Sequence, residues 1–303
     1  MSSITTLASD LKFPEGPAAL PDGSVIFTEI AGGTIRRVGS DGGLSTVGVS
    51  GGGPNGLALG PDGAYYIANN GGSVYRPGHF KWMNVGVPKD YAGGYIQRMY
   101  PKTGEVRMLY THCGSNRLSA PNDLVFDAHQ GFYFSDFGKK HERHRDYGGI
   151  YYARMDGSEI RELAFPVVNP NGVGLSPDGK VLYVAETDTS RLWAYDIVAP
   201  GVIKKHPYPS PYGARLICGL PGYQRFDSLA VEANGNVCVA TIITGHITVI
   251  SPWGQVVRQV KVPDEFPTNI CFGGPDMQTA YITLSGGGTL AAMRWAEPGL
   301  RLN

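Results

Sequence analysis

A polar residue followed seven positions later by a turn recurs six times along this chain, and no other feature limits its fold as much. Glu15 precedes Asp22-Gly23, Asn55 precedes Asp62-Gly63, and Asn122 precedes His129; Asn171 precedes Asp178-Gly179, Asp227 precedes Asn234-Gly235, and Asn269 precedes Asp276. An apolar run fills each interval, and each turn leads into an alternating or aromatic segment at 24–29, 64–69, 132–136, 181–186, 237–241 and 280–284. These segments have the composition of strands. Third strands are expected at 34–38, 95–100, 149–155, 191–197, 246–251 and 289–295, and fourth strands at 44–47, 106–111, 160–164, 214–219 and 256–262. The sixth unit has no fourth strand of its own, and 4–8 is expected to supply it. Six four-stranded units, the last closed by the N-terminal segment, specify an all-β, six-bladed β-propeller, expected as one domain over 1–303. No window sustains a 3.6-residue apolar period, which argues against a parallel α/β fold.

Composition agrees and narrows the partners. Of 303 residues, 42% are apolar and 43 are glycine, enough for a large core and for many positive-φ turns. Lys plus Arg and Asp plus Glu are both 26, so there is no net field to draw nucleic acid or an anionic membrane, and a small-molecule partner is expected. With neither a secretory leader pattern nor about 18 consecutive apolar residues, the expected location is the cytoplasm. Cys113, Cys218, Cys238 and Cys271 are widely spaced and read as reduced thiols.

The first strand of each propeller blade lines the central axis, so equivalent residues of six blades meet there. The repeat nominates Glu15, Asn55, Asn122, Asn171, Asp227 and Asn269. These are hard oxygen donors with a formal charge of minus two, which suits a divalent cation. Calcium fits best because it accepts mixed carbonyl and carboxylate shells, with Mg2+, Mn2+ and Zn2+ as alternatives. A single asparagine here would read as a turn former; six polar residues in register, one of them Glu15, do not. Two motifs carry less. Gly48-Val49-Ser50-Gly51-Gly52 fits G-x-S-x-G but is followed by Gly53-Pro54 instead of a helix. The charged stretch 139–145 reads as a solvated loop in which metal ligation by His141 and His144 is disfavoured.

The stretches F-P-E-G-P at Phe13, R-L-S-A-P-N-D-L at Arg117, N-P-N-G-V-G-L-S-P-D-G-K at Asn169 and T-N-I-C-F-G-G-P-D-M-Q-T-A-Y-I-T at Thr268 resemble the senescence marker protein (regucalcin), gluconolactonase and luciferin-regenerating enzyme family. The resemblance covers essentially the whole chain. It implies a divalent metal on Glu15, Asn171 and Asp227, with Asn122 at metal and substrate, and a lactone-opening hydrolase. The chain departs from the family's common pattern at Ser228, where glycine is frequent, and at Ala120, where regucalcin-like members carry arginine. Asp227 is the candidate general base, with direct nucleophilic attack by Asp227 as its rival, and Asn122 would polarise the substrate. An organophosphate-hydrolysing propeller and a non-catalytic calcium-binding propeller are the alternative functions. Two long connections, 70–94 and 137–148, are expected to overhang the channel as lids. Trp82, Phe137 and His141 on them, with Asn55 and Asn269, are the expected substrate contacts.

Overall fold

A computed structural model describes residues 3–302, and those residues contain strands and turns but no helix. The strands form six antiparallel sheets in chain order, the blades of a β-propeller. Blade 1 begins at Pro14–Ala19, blade 2 at Pro54–Leu59, blade 3 at Pro121–Phe126, blade 4 at Pro170–Leu175, blade 5 at Arg225–Val231 and blade 6 at Pro267–Gly273. These first strands touch one another in a closed ring, the last against the first, and so surround the axis. Ile4–Ala8 pairs antiparallel with Thr289–Arg294 and completes blade 6, as the repeat requires.

Second strands lie sandwiched between neighbouring blades. Val25–Glu29, Tyr65–Asn69, Gly131–Asp136 and Val237–Ile242 are buried along their whole length, which is why they read as continuous apolar runs. Outer strands such as Leu44–Val49 and Val256–Lys261 meet solvent and carry polar residues. Between blades 2 and 3 the seam is aromatic: the Phe126 ring lies 4.9 Å from Tyr66 and 5.5 Å from Phe132. Edge-on packing of such rings adds about 0.5–1.5 kcal/mol per pair to area burial.

Three small elements escape the repeat. Val202–Lys204 gives blade 4 a second partner for its third strand, beside Arg215–Gly219. A hairpin of Val74–Arg76 and Met83–Gly86 lies inside the 70–94 connection, and His112–Cys113 pairs with Asn116–Arg117. All four cysteines are free; Cys238 is buried and the others are half-buried.

Candidate active site in the axial channel

Each first strand carries a β-bulge where it meets the axis, and the bulge decides what points inward. Pro14 pairs with Glu29, Pro54 with Asn69, Pro121 with Asp136, Pro170 with Glu186, Phe226 with Thr241 and Pro267 with Leu284. In blade 1 the register shifts one pair later, after Glu15 has paired with Thr28, and in blades 2 to 6 directly after these pairs, as a bulge that re-aims a side chain does. The next residue is Glu15, Asn55, Asn122, Asn171 and Asp227 in blades 1 to 5, as the sequence repeat anticipates. In blade 6 it is Thr268. Asn269 stands one position further on, so the repeat's sixth member is corrected. The cause is a first strand one residue longer in blade 6, Pro267–Gly273 against Pro14–Ala19 in blade 1, with a turn of the same length, so that a count back from Asp276 lands late.

That further position has its own logic. A Cβ on Gly16 would lie 2.5 Å from the Asn55 carbonyl oxygen, and one on Gly172 would lie 2.5 Å from the Leu229 nitrogen, so neighbouring backbones there leave room for glycine alone. Blade 3 carries Asp123 instead. Its Oδ1 accepts from the Leu124 N–H at 2.9 Å and its Oδ2 from the Val173 N–H at 3.3 Å. Asp123 is thus a third carboxylate in the channel wall, missed by the repeat analysis. Its signal was available, since Gly16, Gly56 and Gly172 occupy the matching place in blades 1, 2 and 4.

The channel groups are buried and short of counter-charge. Among the described residues, no lysine, arginine or histidine pairs with Glu15, Asp123 or Asp227. Glu15 is 2% exposed; its Oε2 accepts from the Gly16 N–H at 2.6 Å and from Asn269 Nδ2 at 2.8 Å. Burial pushes its carboxyl up to about 7 against those bonds. Burial, then the charge of Glu15, pushes Asp123 up to about 8 and Asp227 well above the ordinary carboxylate range. Asn171 is held by Thr187, at 3.1 Å from its Nδ2, and accepts from Ser228 Oγ at 3.2 Å. The buried Oδ1 atoms of Asn55 and Asn122 have no hydrogen-bond partner.

Those two oxygens test whether a cation fits. An unpaired buried acceptor costs about 1–3 kcal/mol, and mutual repulsion of three carboxylates costs more. A divalent ion would satisfy both sets at once. Glu15, Asp227, Asn122 and Asn55 are therefore available to hold it, as is Asn171, whose Oδ1 accepts only from Ser228 Oγ among the described residues and keeps a lone pair, whereas the Asn269 oxygen is turned back to the Ile270 N–H at 2.8 Å.

The 70–94 connection leaves blade 2 and reaches blade 6. The Lys81 N–H donates to the Gly286 carbonyl at 2.9 Å, and His79 lies 3.2 Å from Glu265. On the way, the Tyr75 hydroxyl comes close enough to Glu15 and Asp227 that burial and then their charges raise its pKa. The Tyr75 ring packs 5.3 Å from Phe13, and Phe266 packs 6.0 Å from Phe13 and 4.9 Å from Phe80. Phe13 has φ of 60°, a left-handed conformation unfavourable for an aromatic residue. The root of the connection is gripped from blade 3. Lys139 Nζ donates to the Asn70 carbonyl at 2.8 Å and to that of Gly72, and lies 4.8 Å from the Tyr91 ring centre. Of the expected contacts, Trp82 has its indole N–H enclosed without an acceptor and half-buried Phe137 donates its N–H to the Ala120 carbonyl at 2.9 Å. His141 faces Asp146 at 3.4 Å.

The fold and site together define a six-bladed propeller with an acidic, oxygen-lined axial channel. The model of the SMP-30/Gluconolactonase/LRE-like region matches residues 13–286, and the chain belongs to that family. It is 23% identical over 309 residues to a gluconolactonase of Zymomonas mobilis, covering 93% of this chain and 79% of that protein. A shorter stretch of 142 residues is 32% identical to the lactonase drp35 of Staphylococcus epidermidis and covers 47% of this chain and 42% of that one. Among solved structures, a gluconolactonase of Xanthomonas campestris superposes with TM-score 0.76 at 21% identity over 98% of this chain and 90% of that chain. A calcium-binding regucalcin of Agrobacterium tumefaciens superposes with TM-score 0.71 at 16% identity over 99% and 98%.

Proposed function

We propose that this chain is a lactonase that binds one divalent cation, calcium by preference, at Glu15, Asn122, Asn171 and Asp227, and opens a cyclic ester at the channel mouth. One observation carries the reading: the unpartnered carboxamide oxygens of Asn55 and Asn122 stand in the wall of a channel whose carboxylates lack a counter-ion. The gluconolactonase relative supports the lactone, and the structurally similar regucalcin, described as calcium-binding, supports the ion. A bound divalent ion supplies Lewis acidity toward a carbonyl oxygen and lowers the pKa of a coordinated water.

The protein's own groups do the rest. Asp227 is the carboxylate placed to take a proton from the attacking water. The water oxygen bonds to the carbonyl carbon, and the ring C–O bond then breaks. Asn122 Nδ2, which donates to no group among the described residues, is free to donate to the substrate carbonyl. Tyr75 stays neutral because its pKa is raised, so its hydroxyl can donate to the departing ring oxygen. Asn269 and the Gly16 N–H hold Glu15 in place. Phe13, Phe80 and Phe266 give the mouth an apolar side, so lactones less polar than gluconolactone are the favoured substrates.

A lactone panel followed in a pH-stat tests this. Calcium-loaded protein should hydrolyse at least one lactone, chelation should abolish the rate, and Asp227→Asn should lower kcat by about 10²–10⁴-fold, far more than Asn55→Ala. Tight calcium binding without hydrolysis of any lactone would leave a binding propeller in place of an enzyme.

A further inference from the structure

We infer that His141, His144 and Asp146, on the connection between the second and third strands of blade 3, form a second metal site, selective for a borderline first-row dication such as zinc. Their ligand atoms all lie within 4.8 Å of one another. The hairpin creates this grouping. The His141 N–H donates to the His144 carbonyl at 2.9 Å, Lys140 bridges to Arg145, and the Asp146 N–H donates to the Lys139 carbonyl at 2.9 Å. The tight turn stacks the two imidazoles, with ring centres 4.2 Å apart and planes at 11°. Asp146 Oδ2 accepts from Ser119 Oγ at 2.8 Å, which fixes the carboxylate, while its Oδ1 has no hydrogen-bond partner.

The chemistry differs from that of the channel. Two imidazoles and one carboxylate suit zinc, at ligand distances of about 2.0–2.2 Å, and suit calcium poorly. His144 is exposed and its ring nitrogens are free, so a turn of that ring is all that is needed to aim both imidazoles at one ion, with water completing a tetrahedral shell. The neighbouring cations point elsewhere: Arg145 is paired with Asp188, and Lys139 donates to Asn70 and Gly72. Ser119 lies three residues before Asn122, so an ion here would tie the connection to the strand that delivers Asn122 to the channel. The charged run 139–145, read from sequence as a solvated loop, thus gains a specific use. This inference stands apart from the lactonase reading and survives its failure.

The test is titration of Zn2+ alone into full-length, calcium-loaded protein, with a chromogenic chelator as competitor. One zinc per chain is expected, with micromolar affinity, reduced at least about tenfold in His144→Ala and lost in the His141→Ala/His144→Ala pair. Asp227→Asn should bind zinc unchanged. Imidazole NMR of the unaltered protein gives a second readout, in which zinc should move the ring signals of His141 and His144 and leave the other five histidines in place. Undiminished zinc binding by the double variant, loss of binding in Asp227→Asn, shifts confined to other histidines, or no binding below about 1 mM would each overturn the inference.

Discussion

Tyr75 shows how one side chain can belong both to packing and to chemistry. Its ring fills the aromatic wall beside Phe13, while burial and then the charges of Glu15 and Asp227 keep its hydroxyl protonated. Tyr75→Phe separates the two roles because it keeps the ring and removes the donor. With Asp227 and the metal ligands intact, kcat for the best lactone should fall by about 10²-fold, the usual effect of losing one preorganised donor, while calcium affinity measured by calorimetry stays the same. An unchanged kcat would make Tyr75 a packing residue only. Sequence alone nominated most of the channel, since five of the six repeat positions meet at equivalent places in the pairing register. Asp123 escapes the repeat because it stands one position beyond it, and a carboxylate beside an asparagine looks like turn chemistry until the glycines of other blades are aligned with it. The repeat misplaced Asn269 because one extra residue in the first strand of blade 6 is invisible when the run still reads as apolar.

Among the strands, long apolar second strands announced themselves, whereas Val202–Lys204 and the hairpin at Val74–Arg76 are too short to show a period. Their existence depends on tertiary partners, which composition does not display. The same holds for the grip of one connection on another. Lys139 is buried, and burial lowers its pKa to about 8, yet its ammonium holds the carbonyls of Asn70 and Gly72. Lys139→Met would keep most of the side-chain volume and leave those carbonyls without their donor, at a cost of about 1–3 kcal/mol. The blades themselves keep their ladders. The expected result is faster cleavage within 70–94 in limited proteolysis, with a melting temperature lowered by only a few degrees. Cleavage at the same rate as in the parent protein would show that the contacts to Gly286 and Glu265 are sufficient to hold the connection.

At the scale of the whole propeller, the buried channel carboxylates couple protons to stability. Burial puts Glu15 at about 7, and burial with the charge of Glu15 puts Asp123 at about 8 in the folded chain, against ordinary values of 4.5 and 3.8, and Asp227 moves the same way. Between roughly pH 4 and pH 8 the folded chain therefore binds more protons at these groups than the unfolded chain does. Stability falls with rising pH wherever the folded state holds the extra protons, so these groups should make the calcium-free protein less stable at pH 8.5 than at pH 5. A cation reverses the balance. Bound as proposed, it would hold the deprotonated carboxylates, compete with protons for them below about pH 7, and stabilise only the folded chain, in which blades 1 to 5 converge on one axis. The gap in melting temperature between calcium-loaded and chelated protein should accordingly widen from pH 5 to pH 8.5, and calcium addition near pH 7 should release protons measurable in a pH-stat. Thermal melts at the two pH values decide the matter: a gap that is constant, or that narrows as pH rises, would mean that the ion is not held by the titrating carboxylates of the channel.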